Sequence, residues 1–212
     1  MPRSSLALSL ALAIAATPLL AKTLDEGRFD PAWVGGGPEF READEIDYLW
    51  VESGFSFDGL TVEFSAWEDP VWMGDDAGKR DAKDKRLAND LSRDLPDIFA
   101  EAFKNGLGGK VTVVDSGGTL RAVGRVVDCS TGSTAAKFWV GMGAGSGATT
   151  FDLKFVDAKS GQTRVALHHR VVSGSTLSTT DSKLIDWVDE LAEEIGKKGI
   201  ETIYKKGDRV KK

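Results

Sequence analysis

Hydrophobic and polar positions alternate most clearly between Phe138 and Val172, a stretch that reads FWVGMGAGSGATTFDLKFVDAKSGQTRVALHHRVV. Phe151, Leu153 and Phe155 share one side of an extended chain, and Val165, Leu167 and Val171 share one side of the next run. Between them Asp157-Ala158-Lys159-Ser160-Gly161 supplies a turn, so the pattern predicts a β-hairpin. Its entry is unusual. In Phe138–Ala144 the apolar positions are even, whereas after Thr149 they are odd. A single flat strand cannot keep one apolar face through that switch. If extended, Gly141, Gly143, Gly145 and Gly147 lie on one face, and a bend between about Gly143 and Ala148 restores the phase. We expect an extended, bent segment whose glycine face lets another surface approach closely.

Elsewhere, Leu87, Leu91, Leu95, Ile98, Phe99, Ala102 and Phe103 recur at helical spacing and predict an amphipathic helix, with Pro96 as an expected kink and Asn105-Gly106 as its end. A second helix is predicted from Asp181. Its stripe is Leu184, Val188, Leu191 and Ile195, joined by Ile185 and Ala192, and Ser178 with Asp181 forms a candidate capping box. Strand patterns occur at Tyr48–Val51, Leu60–Phe64, Val111–Asp115 and Leu120–Cys129. Asp58-Gly59 between the first two is a hairpin signal. Together these predict an α+β domain: a mostly antiparallel sheet of five to six strands with two amphipathic helices packed on one face. The divisions read 1–21 leader, 22–46 irregular segment pinned by Trp33 and Phe40, 47–206 single domain, and 207–212 basic tail.

The leader changes the picture most. Arg3 precedes an apolar run from Leu6 to Ala16, and Ala21 precedes Lys22. That order describes a cleavable secretory signal peptide, and the run is too short to span a bilayer. No cysteine follows it to carry a lipid, so a periplasmic or secreted, unanchored protein is expected, not membrane-spanning. Net charge is −6, and loss of the leader makes it more negative. That disfavours nucleic acid as a partner, which calls for a basic excess. The lone Cys129 excludes an internal disulfide, and its apolar surroundings predict a buried thiol.

Candidate chemistry is sparse. Gly143–Ala148 fits the loose dinucleotide pattern, but TTFDLKFVD follows it as a strand where the fingerprint needs a helix, so no cofactor is expected. Gly109-Lys110 is followed by valine, which breaks a phosphate loop, and no serine sits in a G-x-S-x-G context. The acidic loop Asp69–Asp76 lacks the spacing of a calcium loop, so no metal is expected. His168 and His169 are the only histidines, and as strand neighbours they point to opposite faces and cannot share a metal. One is expected at the exposed surface and the other partly buried. The basic end, Arg209–Lys212, has the charge for weak contact with an anionic surface, although a helix cap and solubilising tail account for the same residues.

Gly141-Met142-Gly143-Ala144-Gly145, the strand after it, Val156–Gly161 and the final helix resemble a family of bacterial envelope proteins catalogued as a domain of unknown function. Its pattern is a G-x-G-A-G strand followed by a D-x-x-[ST]-G hairpin. The chain departs from the family's lipoproteins in lacking the lipid-bearing cysteine. The layout is also similar to the small α+β domains of the curli secretion lipoprotein and the Tol translocation protein N-terminal domain. These resemblances imply protein interaction and carry over no catalytic residue. The expected function is therefore a non-enzymatic, exported cell-envelope protein that acts by binding an envelope protein or itself, with Gly141, Gly143, Gly145 and Gly147 as a strand for such an interaction or for close packing against its own chain. Alternatives are a periplasmic small-ligand or lipid-binding protein with a pocket between helices and sheet, and a hydrolase whose site has no sequence signature.

Overall fold

The computed structural model describes residues 28–35, 39–44, 46–132, 147–172, 180–203 and 210–211. After a 3-10 turn at Pro31–Val34 come β1 (Phe40–Ala43), β2 (Ile46–Val51), β3 (Leu60–Phe64), α1 (Ala82–Gly106), β4 (Val111–Val114), β5 (Leu120–Ser130), β6 (Ala148–Asp157), β7 (Thr163–Val172), α2 (Thr180–Lys198) and β8 (Val210–Lys211). The strands form one sheet in the order β4-β3-β5-β6-β7-β2-β1-β8.

The α+β class and the two helices agree with the sequence, but the sheet is larger than expected and mixed. β3 is parallel to both β4 and β5, while the remaining pairs are antiparallel. The physical reason is α1, which carries the chain from the end of β3 back to the start of a parallel β4. The connection to β5 then crosses β3 at Gly118, where an added Cβ would lie 2.7 Å from the Glu63 nitrogen. The expected hairpin across Asp58-Gly59 does not form. β2 pairs with β7 and β1, and Gly59 instead turns the chain at φ +76° while its N–H donates to the Lys110 carbonyl. The 22–46 segment is not wholly irregular, since it contains the 3-10 turn and β1. Within the expected tail, Val210–Lys211 pairs with β1.

The β6–β7 hairpin is as predicted. Asp157 accepts from the Lys159 and Ser160 amides and the Ser160 hydroxyl, and Gly161 adopts φ +75°. The odd residues Phe151, Leu153 and Phe155 join Val165 and Leu167 on the helix side. The bend expected between Gly143 and Ala148 lies mostly outside the described residues. From Ala148 onward β6 pairs continuously with β7 up to a register shift between Phe155 and Val156, and β5 carries its own shift between Val126 and Asp128.

Asp81 caps α1 in a reciprocal box with Asp84, and the helix continues through the buried Pro96. Leu184, Val188, Leu191, Ala192 and Ile195 of α2 are buried as expected. Ile185 is not: it is 41% exposed, and Trp187 takes its place in the core. α1 and α2 meet at glycine, where a Cβ on Gly196 would lie 2.1 Å from the Gly106 carbonyl oxygen. Between helices and sheet, the rings of Phe64, Trp67, Phe99, Phe103, Phe151, Phe155 and Trp187 pack edge-on, tilted or stacked against one another.

Candidate functional site

The polar positions of the central strands converge on the sheet's other face. Arg125 of β5 stands opposite Asp152 of β6, Asp152 opposite His168 of β7, and His168 opposite Tyr48 of β2. Alternation along a strand puts these even-phase β6 and β7 residues away from the helices. The result is one cross-strand row. His168 Nδ1 donates to Asp152 Oδ1 at 2.6 Å, and Arg125 Nε donates to Asp152 Oδ2 at 2.8 Å. Exposure is 6% for Arg125, 3% for Asp152 and 0% for His168.

What seals this row is the strap, residues 28–35. Asp30 Oδ2 accepts from Arg125 at 3.3 Å. The Trp33 ring takes the Lys154 ammonium at 4.0 Å and the Arg125 guanidinium at 4.7 Å, while its indole N–H donates to Glu68 at 3.1 Å. Phe29 stacks on Tyr48 at 4.4 Å and meets His168 at 5.3 Å. Val34, Phe40, Tyr48 and Ala166 form a small second apolar cluster there. Trp33 and Phe40 therefore pin this segment, as expected. Burial pushes the Lys154 amine below its ordinary value.

At the end of β5 a second ionic group forms. Asp128 accepts from Arg28 at 2.7 Å and from two nitrogens of Arg80, both at 2.7 Å. Burial pushes the Asp128 carboxyl up, but the two guanidinium groups outweigh it and hold the carboxyl below its ordinary value. Beside it, Asp84 accepts from the Thr131 amide and hydroxyl, at 2.8 and 3.0 Å. Cys129 is buried as expected, 3.5 Å from the Thr149 hydroxyl, and burial pushes its thiol up to about 11. A thiol so protonated is a poor nucleophile.

The histidines do face opposite ways, but neither is exposed. His168 is sealed under the strap. His169, half-buried on the helix side, stacks on Trp187 at 4.5 Å and sits 3.3 Å from Asp47. Burial raises the Asp47 carboxyl, yet His169 and the Arg170 N–H together bring it below its ordinary value. In the acidic loop, Asp76 is paired to Lys79 at 2.7 Å. Of the four glycines, Gly141, Gly143 and Gly145 lie outside the described residues, and Gly147 is buried immediately before β6. The leader and residues 204–209 also lie outside them. Among the described residues no helix is long and apolar enough to cross a membrane.

No known family and no curated protein matches the chain. Solved structures do. The PelC dodecamer from Paraburkholderia phytofirmans matches at 8% identity and TM-score 0.45, over 70% of this chain and 94% of that one. A single-residue variant of the same dodecamer matches at 7% identity with the same TM-score and coverage. A DUF330 protein from Xanthomonas campestris, XCC0632, matches at 8% identity and TM-score 0.42, over 69% of this chain and 87% of that one. Similarity to the curli secretion lipoprotein or the Tol domain is not shown. At TM-scores this low, none of these likenesses bears on function.

Proposed function

We propose that this is an exported, non-enzymatic cell-envelope protein that acts by binding another envelope protein or further copies of itself. The observation that carries this reading is the state of the His168–Asp152 pair under the strap. A hydrolase needs its histidine within reach of a substrate proton. His168 is wholly buried, its Nδ1 is committed to Asp152, and Asp152 is committed in turn to Arg125. The row holds the strap and the central strands in register. The small-ligand reading needs a space between helices and sheet, and the interlocked aromatic rings occupy that layer.

The test is the mass of the purified protein by light scattering across a concentration series, with crosslinking in its own envelope and a screen of ester, peptide and glycoside substrates. A concentration-dependent oligomer, or a saturable crosslinked envelope partner, is the expected result. A monomer with no crosslinked partner overturns the reading. So does hydrolysis that is lost in His168→Asn.

A further inference from the structure

We propose that the strap, residues 28–35, is an electrostatic latch that opens and closes as a unit over the charged row while the helix-side core stays folded. The strap is attached to the rest of the fold by side chains. Its own backbone bonds close the turn on itself, from the Trp33 N–H to the Asp30 carbonyl and from the Gly35 N–H to the Ala32 carbonyl. Every described bond between strap and sheet uses a side chain: Arg28 to Asp128, Arg125 to Asp30, the Lys154 ammonium to the Trp33 carbonyl, the Thr163 hydroxyl to the Val34 carbonyl, and the Trp33 indole to Glu68. No strand ladder has to break for the strap to leave. Gly35, at φ 94°, bounds the unit on the side of β1.

What lies beneath favours opening as well. Peeling an element off an apolar core exposes surface that water rejects. Here it hydrates Arg125, Asp152, Lys154, Asp128 and His168, charged or polar groups whose burial costs free energy. Their mutual pairs, Arg125 with Asp152 and Asp128 with Arg80, do not involve the strap and persist when it leaves. The apolar hold is limited to Phe29, Trp33 and Val34. The charges facing the strap come from each element beneath it: Glu68 before α1, Arg80 before α1, Arg125 and Asp128 on β5, Asp152 and Lys154 on β6, and His168 on β7. Salt therefore weakens the closed state, whereas it does nothing comparable to the aromatic layer.

Two thiols report the two faces in one molecule. Val34→Cys puts a reporter under the strap, and native Cys129 lies in the helix-side core. Alkylation of each is followed by mass spectrometry on the protein purified from its own cell, with each rate divided by that of the same thiol in guanidinium. The expected result is that Cys129 is protected on the order of 100-fold more than the new thiol, as separate local and global openings require. Raising salt from about 0.05 to 1 M, or Asp30→Asn, should speed the new thiol about 10-fold and leave Cys129 unchanged. Tryptic cleavage after Arg28 in the unsubstituted protein is the second measure and should quicken with salt in parallel. Equal protection of the two thiols in all conditions overturns the latch, and so does a strap rate indifferent to both salt and Asp30→Asn.

Discussion

The two faces of the central sheet are built from the same three strands and differ in nearly everything else. On β6, Phe151, Leu153 and Phe155 point at the helices, while Asp152 and Lys154 point away. The helix side is a continuous ring-on-ring layer reaching from Phe57 to Trp187. The other side is a chain of ion pairs closed by a short strap. Burying one large apolar side chain contributes about 1.5–3 kcal/mol. A buried ion pair is often no better than an apolar pair of the same volume, yet breaking it costs about 3–5 kcal/mol. The helix side therefore supplies the stability. The charged side supplies a demand for one arrangement, because Asp152 satisfies His168 and Arg125 only when three strands stand in a single register. One face fails gradually when damaged, whereas the other fails by stranding a charge.

The largest effect expected is on the helix side. Phe99 of α1 is fully buried among Phe64, Trp67, Phe103, Phe151 and Trp187. Phe99→Ala should cost about 3–5 kcal/mol in denaturant unfolding, from lost transfer energy plus the cavity. The comparison is sharpened by a cycle on the charged row. Asp152→Leu alone should cost about 3 kcal/mol, because Arg125 keeps its charge without its main partner. Adding Arg125→Met should recover part of that loss, although Asp30 and the Trp33 ring would lose a cation. A double variant worse than the single would mean that the row contributes stability directly, as the helix side does.

How much of this was legible in the sequence differs between the faces in the same way. The helix side was nearly all readable, because periodicity reports which residues avoid water. The stripes of α1 and α2, Ile185 apart, and the odd positions of β6 followed from spacing, and the buried Cys129 from its apolar surroundings. The charged row was not, since Arg125, Asp152 and His168 lie on three different strands and form no motif along the chain. Only cross-strand register joins them, and only a segment more than 90 residues away in sequence covers Arg125. One signal was available. An unbulged hairpin closing at Val156 opposite Thr163 would pair Asp152 with Leu167. Matching the apolar faces, odd with odd, demands one extra residue, which sets Asp152 against His168. The parallel β3 was hidden for a different reason. Asp58-Gly59 is a sound local turn, but the chain beyond it takes its partners from α1's crossover and from β5.

A moderate effect is expected from acid, and it separates the ionic end of β5 from the apolar layer. Asp128 is held below its ordinary value by Arg80 and Arg28 against the opposing push of burial. A carboxyl depressed in the folded state contributes stability that is complete above its unfolded value near 3.9 and drains away as pH falls through the lower folded value. Stability followed by urea midpoints should therefore fall below about pH 4. Asp128→Asn should be less stable at neutral pH, with a shallower acid limb. An unchanged acid limb would assign the loss to other groups, with Asp47 the next to examine, since its carboxyl is depressed as well.

The smallest effect expected lies at the outer rim, and it bears most directly on function. Leu184 and Ile185 are adjacent on α2, but Leu184 is buried against the sheet and Ile185 is 41% exposed. Ile and Ser have similar helix propensities, so Ile185→Ser removes apolar surface with little change in the helix itself. A surface change of this kind should shift unfolding by no more than about 0.5 kcal/mol, where Leu184→Ala should cost about 2–5 kcal/mol. A large loss from Ile185→Ser in the isolated, monomeric protein would mean that α2 buries a second face against its own chain. Unchanged stability together with weaker self-association or weaker crosslinking to an envelope partner would put Ile185 in the interface. Periodicity alone assigned this residue to the core stripe, and a partner that covers it would give the apolar side chain a reason to be there.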